Sequence, residues 1–302
     1  MSGNPFVSRQ ERFASVGSTN DVVRGWLADG TPEVCLAVAD EQTAGRGRNG
    51  RTWQAPSGAG LLCSLGFRPS WLGPDRAWRL AAIVSLAMAD AAEEVAGLPD
   101  RAIRLKWPND LVVEMTGMAG VRLTNAAGAE AVRLLDAPVD VRKLGGVLGE
   151  TSGLGSADPR VVVGLGINGD WAAADFPAEL AATMTSLRVA SNGRPIDLAA
   201  LFAAFIDRVE ARTIALRGGH FDIADWVDRQ LTSGRPVRVE LPDGTSIETR
   251  ALGVDAGSGG LVIEDLGAPN GERTILSGEI QHLRLPAGPA GSAIPAATAL
   301  GV

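Results

Sequence analysis

The sequence predicts an α/β body followed by a small all-β module. Two observations carry that expectation. Over residues 1–233, short fully apolar runs alternate with longer helical patterns, as in helices packed on a sheet. From Gly234 the texture changes to five short strand-like runs separated by turn signals such as Asp243-Gly244. The expected division is therefore a body over 1–233, a small barrel over 234–286, and a disordered Pro/Ala/Gly tail over 287–302.

The elements follow in order. Ser18, Thr19 and Asn20 are good helix-capping types, and Val22, Val23, Trp26 and Leu27 form an apolar stripe behind them that stops at Gly30. Residues 34–39 and 61–67 read as buried strands. Pro74-Asp75 opens a long helix over 76–95, ended by Gly97. Residues 104–113 read as strand, turn, strand, because Pro108 removes a backbone donor and Asn109-Asp110 form turns. Residues 115–141 look like a hairpin inserted between core strands. Residues 143–150 and 160–166 are strand-like, with glycines that imply close backbone approach. Asp197 caps a clear amphipathic helix over 197–216, and 221–231 suggests another. The last five strands are expected at 237–241, 246–254, 260–264, 273–276 and 281–285.

Composition excludes several classes. The chain is 45% hydrophobic and 21% charged, as expected of a soluble protein with a sizeable core. A net charge of −7 argues against a general nucleic-acid surface while leaving room for a local basic site. Cys35 and Cys63 lie in apolar runs and read as buried thiols of a reducing compartment. With no signal peptide and no membrane-length apolar run, the expected place is the cytoplasm. Of 28 basic residues only Lys106 and Lys143 are lysines. A chain that otherwise uses arginine keeps lysine where a compact ammonium is wanted, although two positions can also fall by chance.

The stretch richest in chemistry is 40–53, DEQTAGRGRNGRTW. Gly45, Gly47 and Gly50 free the backbone, and Arg46, Arg48 and Arg51 repel one another until an anion arrives between them. A solvated surface turn would have the same composition. Two segments match G-x-G-x-x-G, at 45–50 and 164–169, but neither opens a helix with an acidic residue about 20 positions on, so a dinucleotide site is not expected. No Gly-Lys-Ser/Thr occurs. His220 and His282 lie in different expected domains and two separated cysteines cannot build a zinc site. The polar set that remains is Ser18, Thr19, Asn20, Gln42, the three arginines, Lys106, Asn109, Asp110, Lys143 and Asn168. It suits a reaction between an acid and a nucleotide. Cations would hold carboxylate and phosphates, and a carboxylate would bind Mg²⁺ or take a proton.

Those blocks, namely Ser-Thr-Asn at 18–20, Gln42 with GRGRNGRTW at 45–53, KWPND at 106–110, KLGGVLGE at 143–150 and GLGIN at 164–168, resemble the biotin protein ligase family in order and spacing. The resemblance spans residues 13–285. It implies a mixed-sheet α+β catalytic domain of the class II synthetase and biotin-ligase type, followed by an SH3-like barrel. It also implies a two-step reaction: biotin and MgATP give biotinyl-5′-AMP, and biotin then passes to a lysine of the biotin carboxyl carrier domain of an acyl-CoA carboxylase. Lipoate–protein ligases and octanoyltransferases share the catalytic fold but lack the arginine block together with KWPND.

Carried over by position, the resemblance assigns biotin binding to Ser18, Thr19, Asn20, Gln42, Gly45, Arg46, Gly47, Arg48, Lys143, Gly145 and Gly146. The nucleotide falls to Arg46, Arg48, Arg51, Trp53, Lys106, Asn109 and Asn168. Lys143, Asp110 and Arg48 become the catalytic set, Asp110 also being the candidate for Mg²⁺. The arginine stretch becomes a lid that folds over the adenylate. The chain departs from the family pattern at Gly169-Asp170-Trp171, which leaves open whether Trp171 or Phe176 stacks on adenine. Too few residues precede Gly17 for a helix-turn-helix, so DNA binding and repression are not expected.

Overall fold

The computed structural model describes residues 6–115 and 140–282. Nearly all of the expected 115–141 hairpin, and the whole 287–302 tail, lie outside the described residues. The first seven strands are β1 (Arg9–Phe13), β2 (Cys35–Ala39), β3 (Gly60–Phe67), β4 (Ile103–Lys106), β5 (Asp110–Glu114), β6 (Val141–Ser152) and β7 (Arg160–Asn168). They form one mixed sheet in the order β1-β2-β3-β7-β6-β5-β4, with β1 parallel to β2 and every other pair antiparallel. Sequence reading passed over β1 because Arg-Gln-Glu-Arg-Phe is polar and exposed, as an edge strand can be.

Alternation along the strands sorts the two faces. Val161, Val163, Leu165 and Ile167 of β7 enter the main core, with Leu61, Cys63, Leu65 and Phe67 of β3. That core is covered by helices α2 (Trp78–Ala96) and α5 (Leu198–Arg217). Gly97 closes α2 in the left-handed conformation, φ 57°, and Asp197 caps α5 by accepting from the Ala199 and Ala200 amides. On the other face α1 (Thr19–Ala28) buries Val23, Trp26 and Leu27 against Cys35, Ala37 and Val162. Ser18 stands at the N-cap of α1, but its side chain makes no capping bond. Two short helices, α3 (Ala178–Ala181) and α4 (Leu187–Ala190), had no sequence expectation, and α6 (Ile223–Asp228) is shorter than the expected 221–231. No helix among the described residues is long and apolar enough to cross a membrane.

The C-terminal strands are β8 (Pro236–Glu240), β9 (Ser246–Val254), β10 (Leu261–Glu264), β11 (Glu272–Ile275) and β12 (Glu279–His282). They make a five-stranded antiparallel sheet in the order β11-β10-β9-β8-β12. Its small core of Val237, Val239, Ala251, Leu261, Ile263, Ile275 and Ile280 takes in one residue from the body, Trp107, only 4% exposed. The Trp107 indole N–H donates to the Gly259 carbonyl at 3.0 Å. The C-terminal sheet therefore grips the turn between β4 and β5, and with it Lys106, Asn109 and Asp110.

Candidate active site

A cavity of about 450 Å³ opens on the α1 face of the sheet. One end is built from the start of α1 and the strand below it. Gln42 Oε1 accepts from the Thr19 amide at 2.8 Å and from the Thr19 hydroxyl at 3.1 Å. Ser64 Oγ lies 2.7 Å from Thr19 Oγ1 and 2.6 Å from Asn20 Oδ1. Asn20 is 5% exposed, and its Nδ2 has no hydrogen-bond partner. A buried donor left without an acceptor costs free energy unless a ligand supplies one, so this end is prepared for a polar head group that accepts a hydrogen bond. Ser64 was missed because it sits inside an apolar run, where nothing marks a serine as functional.

The glycines of β7 make room for this arrangement. A Cβ on Gly164 would lie 2.1 Å from Asn20 Oδ1, and one on Gly166 would lie 2.7 Å from the Trp53 indole. Close approach was expected at these positions, and the partners are the two side chains that wall the cavity. Trp53 Nε1 is likewise buried without a partner. Gly145 packs against the β7 backbone, where a Cβ would meet the Gly166 oxygen at 2.7 Å, whereas Gly146 borders the cavity. Cys63 touches the cavity, but burial pushes its thiol up to about 12, so it stays protonated and inert.

The other end carries the charges. Lys143 on β6 and Asp110 on β5 meet with Nζ to Oδ1 at 2.6 Å, and the Lys143 ammonium lies 5.7 Å from the Trp53 ring centroid. Lys106 and Arg48 complete the cluster. Burial pushes the Lys106 ammonium below its ordinary value, partly offset by Asp110. Burial likewise lowers Arg48. Asn109 has a scaffolding part: its Nδ2 donates to the Val147 carbonyl at 2.8 Å, and its own carbonyl accepts from the Val147 amide at 2.9 Å.

A segment with no sequence signal roofs this end. Thr183 and Met184 line the cavity, held because the Lys143 amide donates to Thr183 O and the Thr185 amide to Lys143 O, both at 2.8 Å. Asn168 is fully buried and does not line the cavity. Its Nδ2 donates to Thr185 O at 2.9 Å, while Oδ1 is unpartnered. Trp171 and Phe176 stack on each other, ring centroids 4.1 Å apart, both buried and away from the cavity. Asp170 ties the same segment down through the Ile196 amide and Arg188.

The arginine stretch differs from the expected trio of mutually repelling cations, because each guanidinium already has a protein partner. Arg46 pairs with Asp21 at 2.7 Å and Glu150 at 3.3 Å. Its hydrogen bond holds the Asp21 carboxyl below the usual range. Arg51 pairs with Glu279, whose other oxygen accepts from Asn49 at 3.0 Å. Arg48 donates to the Gly278 carbonyl at 3.2 Å. The backbone folds back on itself, Gly47 N donating to Arg51 O and Trp53 N to Gly45 O. Gly45 is buried, and a Cβ there would meet Trp53 O at 2.5 Å. No group of three or more His, Cys, Asp or Glu able to hold a metal occurs among the described residues.

Comparison with known proteins gives the family. Residues 13–168 match the model of the "Biotin/lipoate A/B protein ligase family", and residues 232–283 match the "Biotin protein ligase C terminal domain". The biotin–[acetyl-CoA-carboxylase] ligase of Mycobacterium tuberculosis is 32% identical over 90% of this chain and 88% of its own. The bifunctional ligase/repressor BirA of Bacillus subtilis is 28% identical over 88% of this chain and 71% of its own. Among solved structures, the Aquifex aeolicus biotin protein ligase in complex with biotin and ATP has the same fold, with a TM-score of 0.67 and 24% identity, covering 92% of this chain and 99% of that one. The family model over residues 13–168, the C-terminal match over 232–283 and the 32% identical relative covering 90% of the chain place it in the biotin/lipoate A/B protein ligase family, among its biotin protein ligases.

Proposed function

We propose that the cavity joins biotin to the α-phosphate of MgATP and then delivers the biotinyl group to a lysine of the biotin carboxyl carrier domain of an acyl-CoA carboxylase. The observation that carries this reading is the distribution of unmet hydrogen bonding and charge within one cavity. The uncharged donors and acceptors of Ser18, Thr19, Asn20 and Gln42 suit the ureido ring. Lys143, with Arg48 and Lys106, suits a carboxylate meeting phosphates.

In the first step the biotin carboxylate oxygen attacks the α-phosphorus, the new O–P bond forms and pyrophosphate leaves. Lys143 stands on β6 beside the cavity, where its ammonium stabilises the negative charge that gathers on the forming acyl phosphate. Arg48 and Lys106 face the leaving phosphates. Mg²⁺ bound to the ATP would shield phosphate charge, and Asp110, a carboxylate lining the cavity, would hold it, since Mg²⁺ takes few protein ligands beside phosphates.

In the second step the lysine amine attacks the acyl carbon, the C–N bond forms, the C–O bond to phosphate breaks and AMP leaves. Making that amine neutral near pH 7 costs about 4.6 kcal/mol at a pKa of about 10.4. Asp110 is paired with Lys143 beforehand. Once Lys143 turns to the acyl phosphate, Asp110 is released to orient the incoming ammonium and accept its proton. One ion pair thus serves both steps by exchanging partners. The test is ATP–pyrophosphate exchange with biotin or lipoate as the acid, followed by incorporation into a carrier domain. Exchange and incorporation are expected with biotin, and incorporation of lipoate alone would contradict the reading.

A further inference from the structure

Lys143 reaches the cavity by breaking the alternation of its own strand. Against β7, Gly146 pairs with Gly166 on the cavity face and Gly145 with Ile167 on the core face. Counting back from there, Leu144 should face the cavity and Lys143 the core. The reverse is observed: Leu144 is fully buried in the main core and Lys143 lines the cavity. The cause is a β-bulge. Leu111 of β5 pairs with Gly145 and the next residue, Val112, with Lys143, so Leu144 is an extra residue that turns the lysine to the other face.

The bulge also marks where β6 parts from β7. Their pairing ends at Gly145 and Ile167, and beyond it β6 runs beside residues 183–185 instead. The Lys143 amide donates to Thr183 O, and the Lys143 carbonyl accepts from the Thr185 amide, both at 2.8 Å. Asn168, the last residue of β7, stands at this exchange of neighbours, at the register position that would oppose Leu144. It is fully buried, and its Nδ2 donates to Thr185 O at 2.9 Å. That carbonyl belongs to the residue whose amide holds Lys143. One side-chain bond from β7 thus fixes the segment that fixes the lysine.

We propose that Asn168 is a positioning residue for Lys143: by clamping residues 183–185 into the gap left by β7, it holds the Leu144 bulge and keeps the Lys143 ammonium turned to Asp110 and the cavity. This role takes the place of the nucleotide contact expected of Asn168, which does not line the cavity. Without the clamp, the end of β6 keeps β5 on one side and has no fixed neighbour on the other. Lys143 then samples positions away from Asp110, whose Oδ1 now lies 2.6 Å from its Nζ. The inference rests on the ligase reading for the step it affects, whereas the placement of the lysine can be measured without it.

The test uses the full chain with Asn168→Ala and, separately, Asn168→Leu, which removes the donor but keeps the volume and so serves where the alanine cavity unfolds the protein. The chain holds only two lysines, so labelling lysine ε-carbons gives two side-chain resonances, and Lys143→Ala identifies which is which. In the Asn168 variants the Lys143 resonance is expected to move toward that of a solvated lysine, and an unmoved resonance would overturn the proposal. In biotin-dependent ATP–pyrophosphate exchange, kcat should fall about 10- to 100-fold, the scale on which a misplaced group acts, with KM for biotin and ATP little changed. In a Lys143→Ala background the same substitutions should add almost nothing, because a residue acting through Lys143 has nothing left to place. Equal losses in both backgrounds, or a raised KM for ATP at unchanged kcat, would overturn the proposal by showing that Asn168 acts independently or touches the nucleotide. An unsubstituted protein without biotin-dependent exchange would refute the ligase reading itself, and the lysine resonance would then decide the placement alone.

Discussion

Two sets of arginine–carboxylate pairs flank the reacting edge of the sheet, and they are built differently. Behind β4, Arg229 is almost wholly buried, its side chain 3% exposed. It contacts Glu93 at 2.9 Å, Asp90 at 2.5 Å and Asp225 at 3.3 Å. Burial alone would lower its pKa, but Glu93, then Asp90 and Asp225, hold it above the ordinary value. It also donates to the Ile103 carbonyl, and its own carbonyl accepts from Leu105. In front, Arg46 and Arg51 pair with carboxylates on α1, β6 and β12, and Arg48 donates to a carbonyl of the turn before β12, most of these partners being partly exposed. The buried set fixes the strand that carries Lys106. The surface pairs of Arg46 and Arg51 are exchangeable, because those guanidiniums can leave protein oxygens for ligand oxygens at little cost. Catalytic edge and closing stretch thus use the same chemistry, at different depths.

That contrast can be broken at its deep end first. Arg229→Met should destabilise the fold by about 3–5 kcal/mol, since it strands buried carboxylates. Denaturant unfolding measures this, and a loss below about 1 kcal/mol would mean that the knot is not structural. Arg48→Ala should leave stability nearly unchanged and slow biotin-dependent exchange by about 10- to 100-fold, the worth of a charge-assisted hydrogen bond. Smallest is Glu279→Gln, which frees Arg51 from the C-terminal sheet. Its stability should change by no more than about 1 kcal/mol. Limited proteolysis within 48–51 should nonetheless quicken, and biotin plus ATP should restore protection. Cleavage equally slow in both proteins would show that Glu279 does not hold the stretch.

Much of the fold was legible because its signals are local. Apolar runs gave the central strands, and Gly97 and Asp197 marked the ends of long helices through backbone conformation and capping. β1 was invisible because an edge strand needs little apolar content. The body and the C-terminal module were separable by texture, whereas the insertion of Trp107 into the module's core is a tertiary fact with no local trace. At the site, the charged residues were legible as types in a pattern. Their pairings were not: Lys143 with Asp110 bridges two strands, and Arg51 with Glu279 spans most of the chain. Ser64, Met184 and Arg229 were unreadable because their roles arise from neighbours distant in sequence.

The central claim is that Lys143 and Asp110 divide the two steps by exchanging partners. It is tested most directly by following, in Lys143→Ala and Asp110→Asn, both biotinyl-AMP synthesis and single-turnover transfer from supplied biotinyl-AMP. Lys143→Ala should lose synthesis by about 10²- to 10³-fold, the usual cost of removing a charge-stabilising group, and lose less in transfer. Asp110→Asn should lose at least as much in transfer as in synthesis. Synthesis near the unsubstituted rate in Lys143→Ala, or transfer untouched in Asp110→Asn, would contradict the account.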